Sequence, residues 1–564
     1  MSNLGEGDPG RGAAGDGSWR DRYRAACGRG VPLDPTSETV PGIDAFPTDY
    51  AKDHLLITST EDVSALMARL RLAAADFGWG VELRLLDGRP TEEEPAMDRA
   101  RRGRAEFDLP TIYRVAIFPA PSPDRDDQPV PPIDAWRLLQ RARARGRGER
   151  PPVQITGVSL DHVLTVDDAG SIINPFGGTK TNPFGGTKTN PFGGTKTYPF
   201  GGTKTYGVES YGEVGGGARQ VAGYVGAGPV RTATLSGRGR RPVVAVLDTG
   251  CGQHPWLPDD IVTRYPKLDD RVIGLHDRQT DPETFGDQAG AFDGWLDSSA
   301  GHGTFIAGVI RQVCPEADIV SVRVADSEGN VLEGDFLLAL RSLVKSMLRP
   351  VRRGGRRIDV INLSLGYYHE TPDTGLFDKT LAELLIRARR EGCAVVCSAG
   401  NDATSRPSFP AALWRWPGHD FVAPDSATAA PHIAVGALNP NGSVALFSNI
   451  GGWVSTYAPG ASVLSCFPAL NGGLQAHVRS DRDDLRRETI DPDDFRTSRS
   501  AGYAIWSGTS FAAPYVAGLL VRELAPRLMA GELNDPGERI DATKRARTRV
   551  VAELRRAKRS PESG

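Results

Sequence analysis

The sequence predicts an α/β chain: a doubly wound, mostly parallel sheet over residues 241–528, preceded by a small α+β domain over 51–166. Three observations predict it. From Pro242 onward, VVAVLDTG, DIVSVRVAD, IDVINLSLG, CAVVCSAGN and PHIAVGAL are near-continuous apolar runs, the pattern of strands covered on both faces. These runs alternate with helical stretches such as FLLALRSLVKSML and KTLAELLIRARREG, so helices carry the chain from one parallel strand to the next. Upstream of residue 167 the elements follow another order, in which two consecutive strands are not separated by a helix.

Residues 1–50 are rich in Gly, Pro, Asp and Arg without periodicity and are expected to form a disordered tail. DHLLIT (53–58) reads as a strand. Ser59 with Asp62 forms a capping box for a helix whose Val63, Leu66, Met67, Leu70 and Phe77 recur at helical spacing. VELRLLDG (81–88) and TIYRVAIFPA (111–120) read as strands, IDAWRLLQRARAR (133–145) as a helix and ITGVSLDHVLTV (155–166) as the last strand. The order β-α-β-β-α-β is that of a split βαβ sandwich of ferredoxin-like type, a superfold that says nothing about function by itself.

Residues 167–240 contain four tandem octads, NPFGGTKT from 174 to 205 with Tyr198 opening the last copy, followed by VGGGARQVAGYVGAGPV. Such a Gly-rich stretch is expected to be a linker. The terminal 529–564, including TKRARTRVVAELRRAKRSPESG, is basic with few apolar residues and is expected to be a solvated helical tail.

A chain of 564 residues exceeds what one hydrophobic core supports, and 39% apolar content with 66 Gly and 42 Pro suits packed domains joined by loops. The net charge of −3 gives no electrostatic reason for a nucleic-acid or membrane partner. There is no signal-peptide core and no run of 18 apolar residues, so the expectation is a soluble protein, cytoplasmic by default, with non-standard export left open. The six cysteines do not resemble a disulfide scaffold. Cys393 and Cys397, about 13 Å apart along a strand, cannot bridge each other.

In a parallel sheet, reactive groups gather where strands end and helices begin. Asp248 closes VVAVL, His302 lies between Gly301 and Gly303 ahead of an apolar helix, and Ser510 opens a helix in WSGTSFAAPYVAGLL. Together they supply an orienting carboxylate, a base and a nucleophile. VAVLDTG, GHGTFIAG and GTSFAAPYVAG resemble the three catalytic motifs of subtilisin-like serine proteases, in that family's Asp, His, Ser order. INLSLG (361–366) resembles the strand lining its substrate cleft, and SAGN (398–401) the turn carrying its oxyanion Asn. The resemblance covers residues 241–528.

It implies a peptide hydrolase in which Ser510 is the nucleophile, His302 the general base and then acid, and Asp248 the group that fixes the imidazole. Asn401 and the Ser510 N–H would hold the oxyanion. Ser364, Leu365 and Gly366 would bind an extended polypeptide through the backbone, with Gly400 in the neighbouring pocket wall. Position 305 is Phe where many members carry a second His, and Cys251 follows the Asp turn where an aliphatic residue is usual. No cofactor is implied. The acids of DDRVIGLHDRQTDPETFGDQ, and those of the charged insertion 475–503, admit structural calcium without forming a dedicated calcium loop, and the insertion reads as a surface loop or a lid. The competing class is a non-catalytic scaffold or precursor that presents the octads for modification or binding.

The element order and position of 51–166 also resemble the propeptide that many such proteases carry, so the partners implied are a polypeptide substrate, the chain's own N-terminal domain and the repeat linker. The octads stand where maturation would cut. Each Asn-Pro or Tyr-Pro step favours extended backbone, and each copy offers Phe176, Phe184, Phe192 or Phe200 before Gly-Gly, a candidate self-cleavage site. A plain spacer and a core peptide modified by another enzyme are the two other readings.

Overall fold

The computed structural model describes residues 30–559 apart from 59–62, 87–106, 108, 122–128, 167–194, 198–202, 206–210, 212–216, 224, 290–293, 373–378, 416–427, 475–478 and 491–501. Within the larger domain seven strands run parallel. In spatial order they are Val262–Arg264, Asp318–Arg323, Val243–Asp248, Val360–Leu363, Ala394–Ser398, His432–Leu438 and Thr456–Pro459. Successive side chains of one strand point to opposite faces. Val244 and Val246 therefore pack under the helices His302–Val313 and Thr509–Met529, while Ala245 and Leu247 pack under Glu333–Leu348 and Thr380–Arg390. Two faces, each closed by helices, make the doubly wound α/β sandwich.

The smaller domain has strands Asp49–Thr58, Trp79–Leu85, Ile112–Pro119 and Val158–Val166, with helices Val63–Ala75 and Ala135–Gly148 on one face. The strands pair antiparallel in the order fourth, first, third, second, which is the ferredoxin-like arrangement. Asp134 caps the second helix by accepting the Arg137 N–H. Ser59 and Asp62 lie outside the described residues.

The two domains share one sheet. Along the free edge of Val158–Val166, Asn330–Leu332 pairs antiparallel with Thr165–Val163, and Leu365–Gly366 pairs with Val166–Thr165. Asp161 adds an ionic contact, accepting the Gly334 N–H at 2.8 Å where the Glu333–Leu348 helix begins and its dipole favours a carboxylate.

Three expected boundaries move. Residues 30–50 are not a tail: Val31–Pro32 pairs with Asp49–Tyr50, and Leu33, Val40 and Tyr50 are buried, Leu33 and Tyr50 in the small domain's core. The linker ends early, since Gln220–Val221 pairs with Tyr503–Trp506, and the Arg219 guanidinium gathers the carbonyls of Leu296, Asp297, Ser298 and Ala300. The C-terminal Pro536–Arg559 helix is docked and not solvated, because Ala542, Ala546, Val550 and Leu554 form a stripe at every fourth residue that joins the core.

Part of the 475–503 insertion is an exposed hairpin, Arg479–Arg482 with Leu485–Glu488. Within the octads, Thr195–Thr197 and Thr203–Thr205 pair as a short antiparallel ribbon, while Phe176, Phe184, Phe192 and Phe200 lie outside the described residues. Cys251, Cys314, Cys393, Cys397 and Cys466 are buried free thiols. Among the described residues no helix is long and apolar enough to cross a membrane.

Candidate active site

Asp248 ends the third strand of the large sheet, and His302 opens the helix that packs beside it. Their approach depends on Gly303: a Cβ there would lie 2.1 Å from the Gly250 carbonyl oxygen, so any side chain would push the helix away from the Asp248 turn. With that contact, His302 Nδ1 is 2.7 Å from Asp248 Oδ1, which also accepts the Thr249 N–H at 2.8 Å. An N–H on Nδ1 leaves Nε2 as the basic nitrogen. The ring sits edge-on to Trp506 and beside Phe511, and Phe305 packs edge-on to Trp506 and tilted against Phe511. Phe305 thus serves as a wall of the pocket that holds the imidazole.

Ser510 is the second residue of the Thr509–Met529 helix, where backbone N–H groups have no intrahelical acceptor. Its hydroxyl donates to the Ser364 carbonyl at 3.0 Å, and the Ser364 hydroxyl donates to the Ser510 carbonyl at 2.9 Å, so the helix start and the INLSLG strand are locked together. Asn401 is held by its oxygen: Oδ1 accepts both the N–H and the hydroxyl of Thr509 at 2.9 Å. Its Nδ2 is buried with no hydrogen-bond partner among the described residues. A buried amide donor left unsatisfied costs about 1–3 kcal/mol, a cost that is relieved when a substrate or transition state supplies an acceptor. Gly400, next in line, donates its N–H to Thr509 Oγ1 at 3.1 Å. Leu365 and Gly366 carry the backbone pairing already described, one residue beyond Ser364.

Glu283 was not foreseen. It is buried, takes the Thr249 hydroxyl on Oε1 and the Thr304 hydroxyl on Oε2, each at 2.5 Å, and so ties the Asp248 turn to the first turn of the His302 helix. Burial pushes its carboxyl up to about 7, against the two hydroxyl hydrogen bonds that pull it down. In sequence it stands out only as one acid of DDRVIGLHDRQTDPETFGDQ; the signal that marks Glu283 out is spatial, its contacts with Thr249, Thr304 and the Gly303 N–H, all distant in sequence. Cys251 is buried, and its thiol is pushed up to about 12 by burial despite the nearby Arg264 guanidinium, so it is an inert wall.

The arrangement brings an imidazole with a carboxylate on one nitrogen, a hydroxyl at a helix start and an unused amide donor to the C-terminal ends of the parallel strands. Residues 239–532 match the model of the subtilase family, peptidase S8. The chain belongs to the subtilase family. Among its relatives are an intracellular serine protease of Paenibacillus polymyxa, 28% identical over 53% of this chain and 72% of the relative, and the major intracellular serine protease of Bacillus subtilis, 26% identical over 50% and 68%. An extracellular protease of Xanthomonas campestris pv. campestris is 29% identical over 53% of this chain, and the match spans 46% of that relative. This subtilase is a serine-type peptidase, and its substrates are polypeptides.

Proposed function

We propose that this subtilase is a serine endopeptidase that is made in a self-blocked form and processes its own linker. Ser510 attacks a peptide carbonyl, His302 Nε2 takes the hydroxyl proton and passes it to the leaving amine, and Asp248 keeps the proton on Nδ1. The Ser510 N–H and the Asn401 amide receive the oxyanion. Water then hydrolyses the acyl-enzyme by the same route. The reading involves no cofactor. A cytoplasmic workplace is part of it, supported by the intracellular serine proteases among the relatives.

One observation carries the self-blocking: the end of the small domain's last strand is added to Leu365–Gly366, next to the residue whose carbonyl takes the Ser510 hydroxyl. Extended peptides bind proteases by this kind of strand addition, in which backbone hydrogen bonds hold any sequence. Val166 also donates its N–H to the Gly329 carbonyl at 2.9 Å, so the strand is gripped from both sides. Ser510 and His302 are fully buried, as expected for a cleft under its own chain. Asp167, the next residue, lies outside the described residues. The bond after Asp167, the first beyond the paired strand, is a candidate first cut beside those after Phe176, Phe184, Phe192 and Phe200.

Intact-mass and peptide mass spectrometry of wild type and Ser510→Ala tests this. Breaks after Asp167 or the four Phe residues in wild type alone support self-processing and show which bond goes first. An unbroken 167–240 segment in an enzyme that hydrolyses peptides would overturn it.

A further inference from the structure

A cluster of titratable side chains lies at the junction of the two domains, outside the catalytic centre. His162, from the small domain's last strand, stands between two carboxylates of the protease domain: Nδ1 is 2.6 Å from Glu333 Oε2 and Nε2 is 2.7 Å from Glu370 Oε2. His369 adjoins them, with Nδ1 3.3 Å from the same Glu370 oxygen. All four residues are at most 4% exposed, and His162, His369 and Glu370 offer ligand atoms within 4.8 Å of one another.

Two features distinguish this cluster from an ordinary buried ion pair. Glu370 Oε1 is buried and has no hydrogen-bond partner among the described residues, so half of a fully desolvated carboxylate is unused. Such a group is expensive unless something fills it. In addition, Glu333 holds the Nδ1 side of His162, which directs Nε2 at Glu370. A carboxylate that orients a histidine so that its other nitrogen faces a ligand set is the usual support of a metal-bound imidazole.

From this geometry we infer that His162, His369 and Glu370 form a binding site for a zinc-class divalent cation that joins the small domain to the protease domain. The ligand set, two imidazoles and one carboxylate, is one that zinc accepts, at about 2.0–2.2 Å per bond, with a fourth position for water. Without the ion, a proton on His162 Nε2 occupies the line between the imidazole and Glu370; binding releases that proton and leaves the one on Nδ1 shared with Glu333. His369 is held in place by accepting the Thr371 N–H on Nδ1 at 3.0 Å. The Arg143 guanidinium from the Ala135–Gly148 helix faces Glu370 and balances its charge.

One ligand comes from the small domain and two from the protease domain, so the ion acts as a clasp on the blocked form. The site rests on the docking of the domains and not on the assignment of Ser510, which lets it be tested in an inactive chain. Full-length Ser510→Ala protein is folded in the presence of zinc, dialysed, and its metal content measured by mass spectrometry. About one zinc per chain is expected, together with a thermal midpoint that falls on chelation. His369→Gln and Glu370→Gln, two near-isosteric changes, should each reduce bound zinc at least tenfold while circular dichroism shows a folded chain. Folded Ser510→Ala protein that retains no zinc overturns the proposal, as does zinc retained equally by both variants.

Discussion

Val166 and Gly329 touch across the domain boundary so closely that a single carbon would not fit: a Cβ on Gly329 would lie 2.3 Å from Val166 Cγ2. Gly329 also has φ +84°, which side chains resist. Gly329→Ala in the Ser510→Ala chain should therefore cost about 1–3 kcal/mol of stability, the usual penalty for overpacking. Adding Val166→Ala should return part of that loss. Denaturant titration of the three proteins checks this; no recovery in the double variant would mean that the strain is within the protease domain alone.

On the proposed mechanism, in which the Asn401 amide receives charge that appears only in the transition state, Asn401→Ala should lower kcat by about 10²–10³ with little change in KM. Ser510→Ala should lower turnover by about 10⁶. Steady-state kinetics on a peptide substrate, after removal of the small domain, gives both numbers. Loss of binding without loss of kcat in Asn401→Ala would remove the oxyanion role.

Glu283 gives a pH signature. Its folded carboxyl is raised to about 7 from an ordinary 4.5, so the folded protein holds the proton more tightly than the unfolded chain. The stabilisation is fully present below pH 4.5 and is lost as pH rises through about 7, amounting to at most about 3 kcal/mol. Glu283→Gln, which stays neutral and keeps the shape, should flatten stability over that window in denaturant midpoints measured across it. An unchanged pH profile would show that Glu283 is already ionised in the fold.

The ordered stretch before the first strand predicts a length dependence of inhibition. A separate polypeptide of residues 30–166 should inhibit the 217–564 fragment at least about tenfold more tightly than one of 53–166, which lacks part of the first strand and the Phe46 N–H bond to the Glu370 carbonyl. Equal inhibition constants would place all of the binding in the shared sheet edge.

Much of this was legible in the sequence, and the misses have a common cause. Apolar runs and helical stripes report burial within one element, so the strands around Asp248, Asn362 and Cys397 could be read directly. The family could be read for the same reason, since the motifs around Asp248, His302 and Ser510 that carry the resemblance are local. What the sequence hides is pairing at a distance. Leu365–Gly366 joins Thr165–Val166 through backbone groups that leave no mark in side-chain pattern, and Glu283 meets Thr249 and Thr304 without a motif. The C-terminal helix lay between these cases: a stripe of Ala542, Ala546, Val550 and Leu554 was there to be read, but Arg and Lys around it made the whole segment look solvated.

The octad segment is tethered at both ends to the same body, by Val166 at the cleft and by Gln220 at the Tyr503–Trp506 strand. It is topologically a closed loop, and one cut merely opens it: neither new end leaves, since each remains woven into a sheet. Release of a free peptide needs a second cut, and in general the number of peptides set free is one less than the number of bonds broken. Cuts after all four Phe residues would liberate three octapeptides, 177–184, 185–192 and 193–200, two reading GGTKTNPF and one GGTKTYPF. A singly cut protein would run at full mass until denatured, so native size alone would not reveal whether the loop had been opened.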